Sequence, residues 1–164
     1  KGWIAITNFY NKAQNYQKAL HYINKAINID SENVIYWKYY AQINHRLNFL
    51  EEAERGYKKT LELGNYELQT WLSRSDILIQ LGEYDAAQFN LDQTLEFYPE
   101  NEEVMCRLAG IYFMQGKKDN ALVFLNNALR TNVEFYIILE ELFPAIYSLN
   151  IVQEIIEKYR NPSS

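Results

Sequence analysis

The sequence pattern that decides the fold lies in residues 51–63, which read EEAERGYKKTLEL. Ala53 precedes Tyr57 by four residues and Thr60 by seven, which is the spacing of one face of a helix. The same frame recurs every 34 residues, as Ala19-Ile23-Ala26, Ala87-Leu91-Thr94 and Ala121-Leu125-Ala128. A period of this length, held across the chain, indicates one supersecondary unit repeated several times.

Two further series keep the same period. Large residues recur upstream of the small ones, at Trp3, Trp37, Trp71, Met105 and Leu139. Residues that tolerate the left-handed backbone recur between them, at Asn48, Gly82, Gly116 and Asn150. Each unit is therefore predicted to be a pair of helices joined by a turn that needs a permissive residue at one fixed place.

The unit boundaries follow from this register. We predict helix pairs over 1–29, 34–63, 67–98 and 101–130, within units 1–33, 34–67, 68–101, 102–135 and 136–160 of one array. Residues 30–33 are expected to stop one helix and cap the next. The fifth unit is degenerate, because Ile155 replaces the alanine and Pro144 should break its first helix near Phe143. Residues 161–164 are expected to fray.

The composition excludes several classes of protein. A hydrophobic content of 48% and an aromatic content of 15% are too high for a disordered chain. Because 16 basic residues face 21 acidic ones, we expect no nucleic-acid partner. No apolar run approaches the ~20 residues of a membrane span, so no membrane partner is expected for this part. The chain starts at Lys1 rather than Met, so we interpret it as a fragment, and an upstream leader or anchor stays open.

The single cysteine, Cys106, excludes an internal disulfide and a cysteine-based zinc cluster. It fits a reducing compartment, and a cytoplasmic location is predicted. Neither His21 nor His45 has a second ligand at metal spacing, and no glycine-rich phosphate loop occurs. We expect His45, near a helix C-terminus, to favour its charged form. We therefore expect no active site, no metal and no cofactor.

These series resemble the tetratricopeptide repeat (TPR), and the resemblance covers nearly the whole chain. The fourth unit matches most fully, with Leu108, Ala109, Tyr112, Gly116, Ala121, Leu125 and Ala128. The second carries Trp37, Ala41, Ala53 and Tyr57, the third Trp71, Ser75, Leu78, Gly82, Ala87, Leu91 and Pro99, and the first Trp3, Tyr10, Ala19 and Ala26. The resemblance implies an all-α, right-handed α-α superhelical solenoid of about five helix pairs. Its first helices would line a concave groove that binds peptides of partner proteins.

The pattern also has a physical reason. The recurring alanines, such as Ala53 and Ala87, fall where two helix backbones approach closely, and a larger side chain there would cost ~1–3 kcal/mol. Trp37 and Trp71 are expected to fill the core rather than to bind a ligand.

The resemblance assigns a set of residues to the groove. They are Asn8, Asn11 and Lys12; Lys38, Tyr39, Gln42, His45 and Arg46; Leu72, Ser73, Asp76 and Ile79; and Cys106, Arg107, Phe113 and Met114. Apolar members of the set (Tyr39, Leu72, Ile79, Phe113 and Met114) are predicted to lie on a face that no helix covers. Because Lys38, Arg46 and Arg107 frame them, the predicted ligand is a peptide with apolar anchors and acidic character.

One subclass of the family clamps the C-terminal carboxylate of its partner, and this sequence fits it poorly. Lys38 and Arg107 match the clamp, but Gln42 and Ser73 replace its asparagines and Glu103 replaces a lysine. An acidic side chain would repel the ligand's carboxylate, so we do not expect this clamp.

The leading hypothesis is a non-enzymatic protein-interaction scaffold that binds a partner peptide or helix in the groove. One alternative is a structural segment of a longer array that associates with itself. Another is the regulatory arm of an enzyme whose catalytic domain lies outside this chain.

Overall fold

The structure, a computed structural model, describes residues 2–162, and no strand occurs among them. The helices are α1 (Gly2–Lys12), α2 (Tyr16–Ile29), α3 (Val34–Arg46), α4 (Leu50–Glu62), α5 (Leu68–Gln80), α6 (Tyr84–Phe97), α7 (Glu102–Met114), α8 (Lys118–Thr131), α9 (Tyr136–Leu142), α10 (Pro144–Tyr147) and α11 (Asn150–Arg160). A 3-10 turn, Val133–Phe135, precedes α9. The predicted all-α class is confirmed. Lys1 and residues 163–164 of the predicted frayed tail lie outside the described residues.

The chain divides into two compact units, residues 1–81 and 82–164. Unit 1 contains α1 to α5, and unit 2 contains α6 to α11. The boundary falls between the two helices of the predicted third pair. The single array over residues 1–160 therefore stays a prediction.

In unit 1, α1 packs on α2, α3 packs on α4, and α5 packs on α4. The alanine of each second helix is fully buried, as predicted for Ala19 and Ala53. The helices α3 and α4 also approach closely one turn after Ala53, at Gly56. A Cβ atom added to Gly56 would lie 2.8 Å from the Cβ and 2.9 Å from the Cα of Ala41. Only glycine fits there without a shift of the α3 backbone.

The turns between paired helices share one backbone conformation. Asn48, Gly82 and Gly116 have φ angles of 62°, 76° and 76°, which confirms a left-handed residue at these three places. Gln14 occupies the same register in the first pair, with φ 59°, although its residue type does not reveal it. The prediction for Asn150 is wrong, because Asn150 is the first residue of α11 and follows the extended Leu149.

The helix α3 begins at a side-chain cap. Oδ1 of Asn33 accepts hydrogen bonds from the backbone N–H groups of Ile35 (3.0 Å) and Tyr36 (3.2 Å). Two of the four N–H groups that a helix start leaves unpaired are thus satisfied. The expected cap in residues 30–33 is confirmed.

In unit 2, α7 packs on α8, and the segment 133–147 packs on α7. The break at Pro144 is confirmed, because α9 ends at Leu142 and Pro144 is the first residue of α10. Between them, Phe143 adopts φ −137° and ψ 63°, and its buried ring lies against Gly110 of α7. No helix within residues 2–162 is long and apolar enough to span a membrane.

Candidate functional site

An open pocket of about 720 Å³ lies in unit 1. Its lining residues are Asn11, Lys12, Tyr16, Gln42, His45, Arg46 and Tyr57. Most of them belong to the predicted groove set, and the structure brings those from α1 and α3 together. Sequence reasoning missed Tyr16 and Tyr57, which lie on the second helices α2 and α4.

A second pocket, of about 320 Å³, continues along α3. It is lined by Ile35, Lys38, Tyr39 and Gln42, so the two pockets share Gln42. We use the name α3 face for all residues of α3 that line either pocket: Ile35, Lys38, Tyr39, Gln42, His45 and Arg46. Ile35 was not predicted, although it precedes Tyr39 by four residues and Gln42 by seven, and its side chain is 57% exposed.

Two cations give the larger pocket a positive charge. Nη1 of Arg46 donates a hydrogen bond to the hydroxyl of Tyr16 (3.3 Å), and the guanidinium lies 5.8 Å from the centre of the same ring. This double contact holds the Arg46 side chain in place beside the pocket. Within residues 2–162, no ion pair joins Lys12 or Arg46 to a carboxylate. Both charges are therefore available to a ligand.

The half-buried His45 lines the same pocket as these cations and contacts Tyr57. Its imidazole meets the Tyr57 ring edge-on, with centroids 6.3 Å apart and planes at 89°. Burial lowers the pKa of His45 from its usual 6.5; nearby Asp76 opposes this shift, and Arg46 adds to it. The expectation that the helix end favours charged His45 is wrong, because loss of solvation outweighs it.

The helix α5 supplies two predicted polar residues to the neighbourhood of Tyr57 and His45. Ser73 forms a side-chain hydrogen bond with Tyr57, while burial raises the pKa of the Tyr57 hydroxyl. Asp76 acts on both Tyr57 and His45 through its charge. Within residues 2–162, no cluster of three His, Cys, Asp or Glu side chains could hold a metal ion.

At the other end of the α3 face the charges are balanced. Nζ of Lys38 donates to a carboxylate oxygen of Glu67 at 3.1 Å, and Glu67 is well exposed. Lys38 is thus neutralised by its own neighbour. The half-buried Asn8 lines neither of the two pockets.

The predicted exposure of Leu72 and Ile79 is wrong, because these side chains are 1% and 4% exposed. They share one face of α5 with Ser75, which is also buried, at spacings of three and four residues. Seven of the thirteen α5 residues are buried, so the covered surface extends beyond the single stripe that periodicity predicts.

The predicted groove residues of α7 are also largely covered. Arg107 is 7% exposed and its Nη1 donates to the carbonyl of Glu103 at 3.0 Å, while Cys106 is fully buried. The segment 133–147 packs on α7, and the carbonyl of Phe135 accepts a hydrogen bond from the Cys106 thiol (3.4 Å). Phe113 is half-buried and Met114 is 45% exposed, so a binding role for these two stays a prediction.

Comparison with known proteins agrees with the repeat pattern. Two tetratricopeptide repeat profiles match, one over residues 1–33 and one over residues 78–135, together more than half of the chain. No curated protein matches the sequence.

Several solved structures have a similar fold. YrrB, described as a TPR protein with an unusual peptide-binding site, has a TM-score of 0.74 at 15% identity, over 98% of this chain and 84% of that one. MamA from Desulfovibrio magneticus RS-1 has a TM-score of 0.77 at 13% identity, over 99% and 96%. A tetratricopeptide repeat protein from Parabacteroides merdae has a TM-score of 0.77 at 20% identity, over 99% and 66%. At these identities the likeness concerns the fold alone.

Proposed function

Because this chain belongs to the tetratricopeptide repeat family, we propose that it is a non-enzymatic scaffold that binds a partner protein through the α3 face of unit 1. The occupant is a peptide or a helix of that partner. The family is a protein-interaction repeat, and the similar structure of YrrB is described as having a peptide-binding site. This role comes to the present chain as a proposal.

The observation that supports this proposal best is that both pockets lie along α3. They share Gln42 as a lining residue, so the lining of the two pockets together extends along α3 from Ile35 to Arg46. Ile35 and Arg46 are eleven residues apart, or ~16 Å along the helix, which suits a short peptide segment. Such clefts, with apolar anchors and a few polar groups, are common binding sites.

The proposal includes fewer residues than the groove that was predicted from the sequence. Leu72, Ile79 and Arg107 are buried and offer a ligand little surface. The apolar contacts come instead from Ile35 and Tyr39, and the charges come from Lys12 and Arg46. The expectation of an acidic ligand is kept, since the unpaired cations remain.

The test is co-purification from source-cell lysate with quantitative mass spectrometry. Arg46→Glu places a negative charge in the larger pocket and should lose the partner, whereas Lys58→Glu makes the same charge change at an exposed site of α4 and should keep it. Circular dichroism first confirms that both variants fold. Equal retention by the two variants would contradict a role for the α3 face.

A further inference from the structure

The two pockets of the α3 face differ in chemistry, which points to a ligand with two unlike ends. The larger pocket holds Lys12 and Arg46, both without an ion-pair partner within residues 2–162. The smaller pocket offers the exposed Ile35, and its Lys38 is already paired with Glu67. One end therefore attracts a carboxylate, and the other attracts an apolar side chain.

The length of α3 sets the distance between these ends. Tyr39 and Ile35 precede Arg46 by seven and eleven residues, or ~10–16 Å at ~1.5 Å per residue. An extended peptide advances ~3.3 Å per residue, so side chains four positions apart are separated by ~13 Å. Because four is an even number, both side chains lie on the same side of an extended strand. A helical ligand would need about nine residues for the same span.

We propose that the α3 face binds an extended segment of a partner protein in which an acidic and a large apolar residue are four positions apart. This proposal rests on the proposed function. The acidic side chain contacts Lys12 and Arg46, and the apolar one packs between Tyr39 and Ile35, ~13 Å from Arg46 along the helix. The reverse orientation is disfavoured, because it brings the acid next to Glu67. Asp76, near His45, adds one negative charge beside the larger pocket, but the two cations outnumber it.

The experiment is a selection from random dodecapeptides displayed in a loop of a carrier protein, so that no free C-terminal carboxylate is present. The whole chain is the bait. A double variant, Lys12→Glu with Ile35→Ser, is the test for loss of binding. Its matched control is Lys58→Glu with Ile29→Ser, which makes the same changes at another exposed lysine and another exposed isoleucine.

The expected result is enrichment of peptides with Asp or Glu four positions from a large apolar residue. They should bind the control double variant as well as wild type, and the test double variant at least about fivefold more weakly by fluorescence anisotropy. Moving the acidic residue of the peptide by one position should weaken binding by a similar factor, because its side chain then points away from the protein.

Three results would overturn this ligand assignment. They are enrichment without a preferred spacing, enrichment of a spacing near nine that indicates a helical ligand, and no enrichment at all. If the partner is still lost on Arg46→Glu in co-purification, the proposed function stands and only the ligand assignment fails. If that loss is absent as well, both fail.

Discussion

Gly56 shows how one residue without a side chain sets the contact between two helices. The second helix of the pair approaches Ala41 so closely at this point that a Cβ atom has no room. Helix propensity alone favours alanine over glycine at an interior helix position by about 1 kcal/mol. Packing therefore favours glycine at position 56, whereas helix propensity favours alanine. The larger of the two free-energy effects decides whether alanine at this position destabilises the protein.

Gly56→Ala should lower the free energy of unfolding by about 1–3 kcal/mol, because the overpacking cost exceeds the gain in helix propensity. Urea unfolding followed by circular dichroism measures the change. Lys58→Ala, on the exposed side of the same helix, is the control and should stay within about 0.5 kcal/mol of wild type. A more stable Gly56→Ala variant would show that the α3 backbone shifts easily.

His45 makes the stability of the fold depend on pH. Its pKa in the folded protein is below the usual 6.5, so the unfolded chain binds more protons between the two values. The free energy of unfolding should therefore fall as the pH falls through 6.5. In His45→Gln this contribution should be absent, so wild type should lose more stability than the variant between pH 7.5 and 5.5. The same loss in both proteins, measured by urea unfolding, would contradict the burial of a neutral imidazole.

Among the elements, the turns that join paired helices repeat one conformation with different residues. Glycine fills the left-handed position at Gly82 and Gly116, whereas Gln14 and Asn48 hold the same conformation with a side chain. A side chain in this conformation costs about 1–2 kcal/mol, which glycine avoids, although glycine loses more entropy on folding.

Gln14→Gly should raise the free energy of unfolding by about 0.5–1 kcal/mol, since relief of backbone strain exceeds the entropy cost of glycine. Thermal or urea unfolding measures it. The matched control is Gln17→Gly, three residues on in the first turn of α2, where the backbone is already helical and glycine should not stabilise the protein. If Gln14→Gly destabilises the protein, the left-handed turn in the first pair is not strained.

The elements also show which features could be predicted from the sequence. The helices, the turns at Asn48, Gly82 and Gly116, and the break at Pro144 depend on local spacing and on single residues, and these predictions are confirmed. The exposure of Leu72 and Arg107 depends on packing against segments distant in sequence or against more than one neighbouring helix. A repeat period of 34 residues does not describe such packing. The ring of Phe143 against Gly110 is an example, because it follows from the break in the degenerate fifth unit.

The same distinction applies to the candidate site. The first-helix residues Gln42, His45 and Arg46 were predicted, because the resemblance to the tetratricopeptide repeat assigns the first helix of each pair to the groove. Tyr16 and Tyr57 come from second helices, whose contact with the pocket depends on how the helices pack. The sequence gives little indication that these two tyrosines line a pocket, since the chain contains fourteen tyrosines and nothing distinguishes these two.

For the molecule as a whole, charge limits how a partner is recognised. The chain carries a net charge of −5, so its overall field does not attract an acidic partner. The two unpaired cations of the larger pocket act only at short range, because salt screens exposed charges beyond ~8–10 Å. In the proposed binding mode, recognition therefore depends on contact with the α3 face rather than on the net charge of the protein.

The central claim is that a partner protein contacts the α3 face. The most direct test places a photo-crosslinking amino acid at Gln42, which both pockets share, and separately at the exposed Lys58, in the intact chain in source cells. Mass spectrometry then identifies the crosslinked peptides. We predict that position 42 crosslinks to one segment of a partner protein, with an acidic and an apolar residue near the site, and that position 58 does not. Equal crosslinking from both positions, or crosslinking from position 58 alone, would contradict the account.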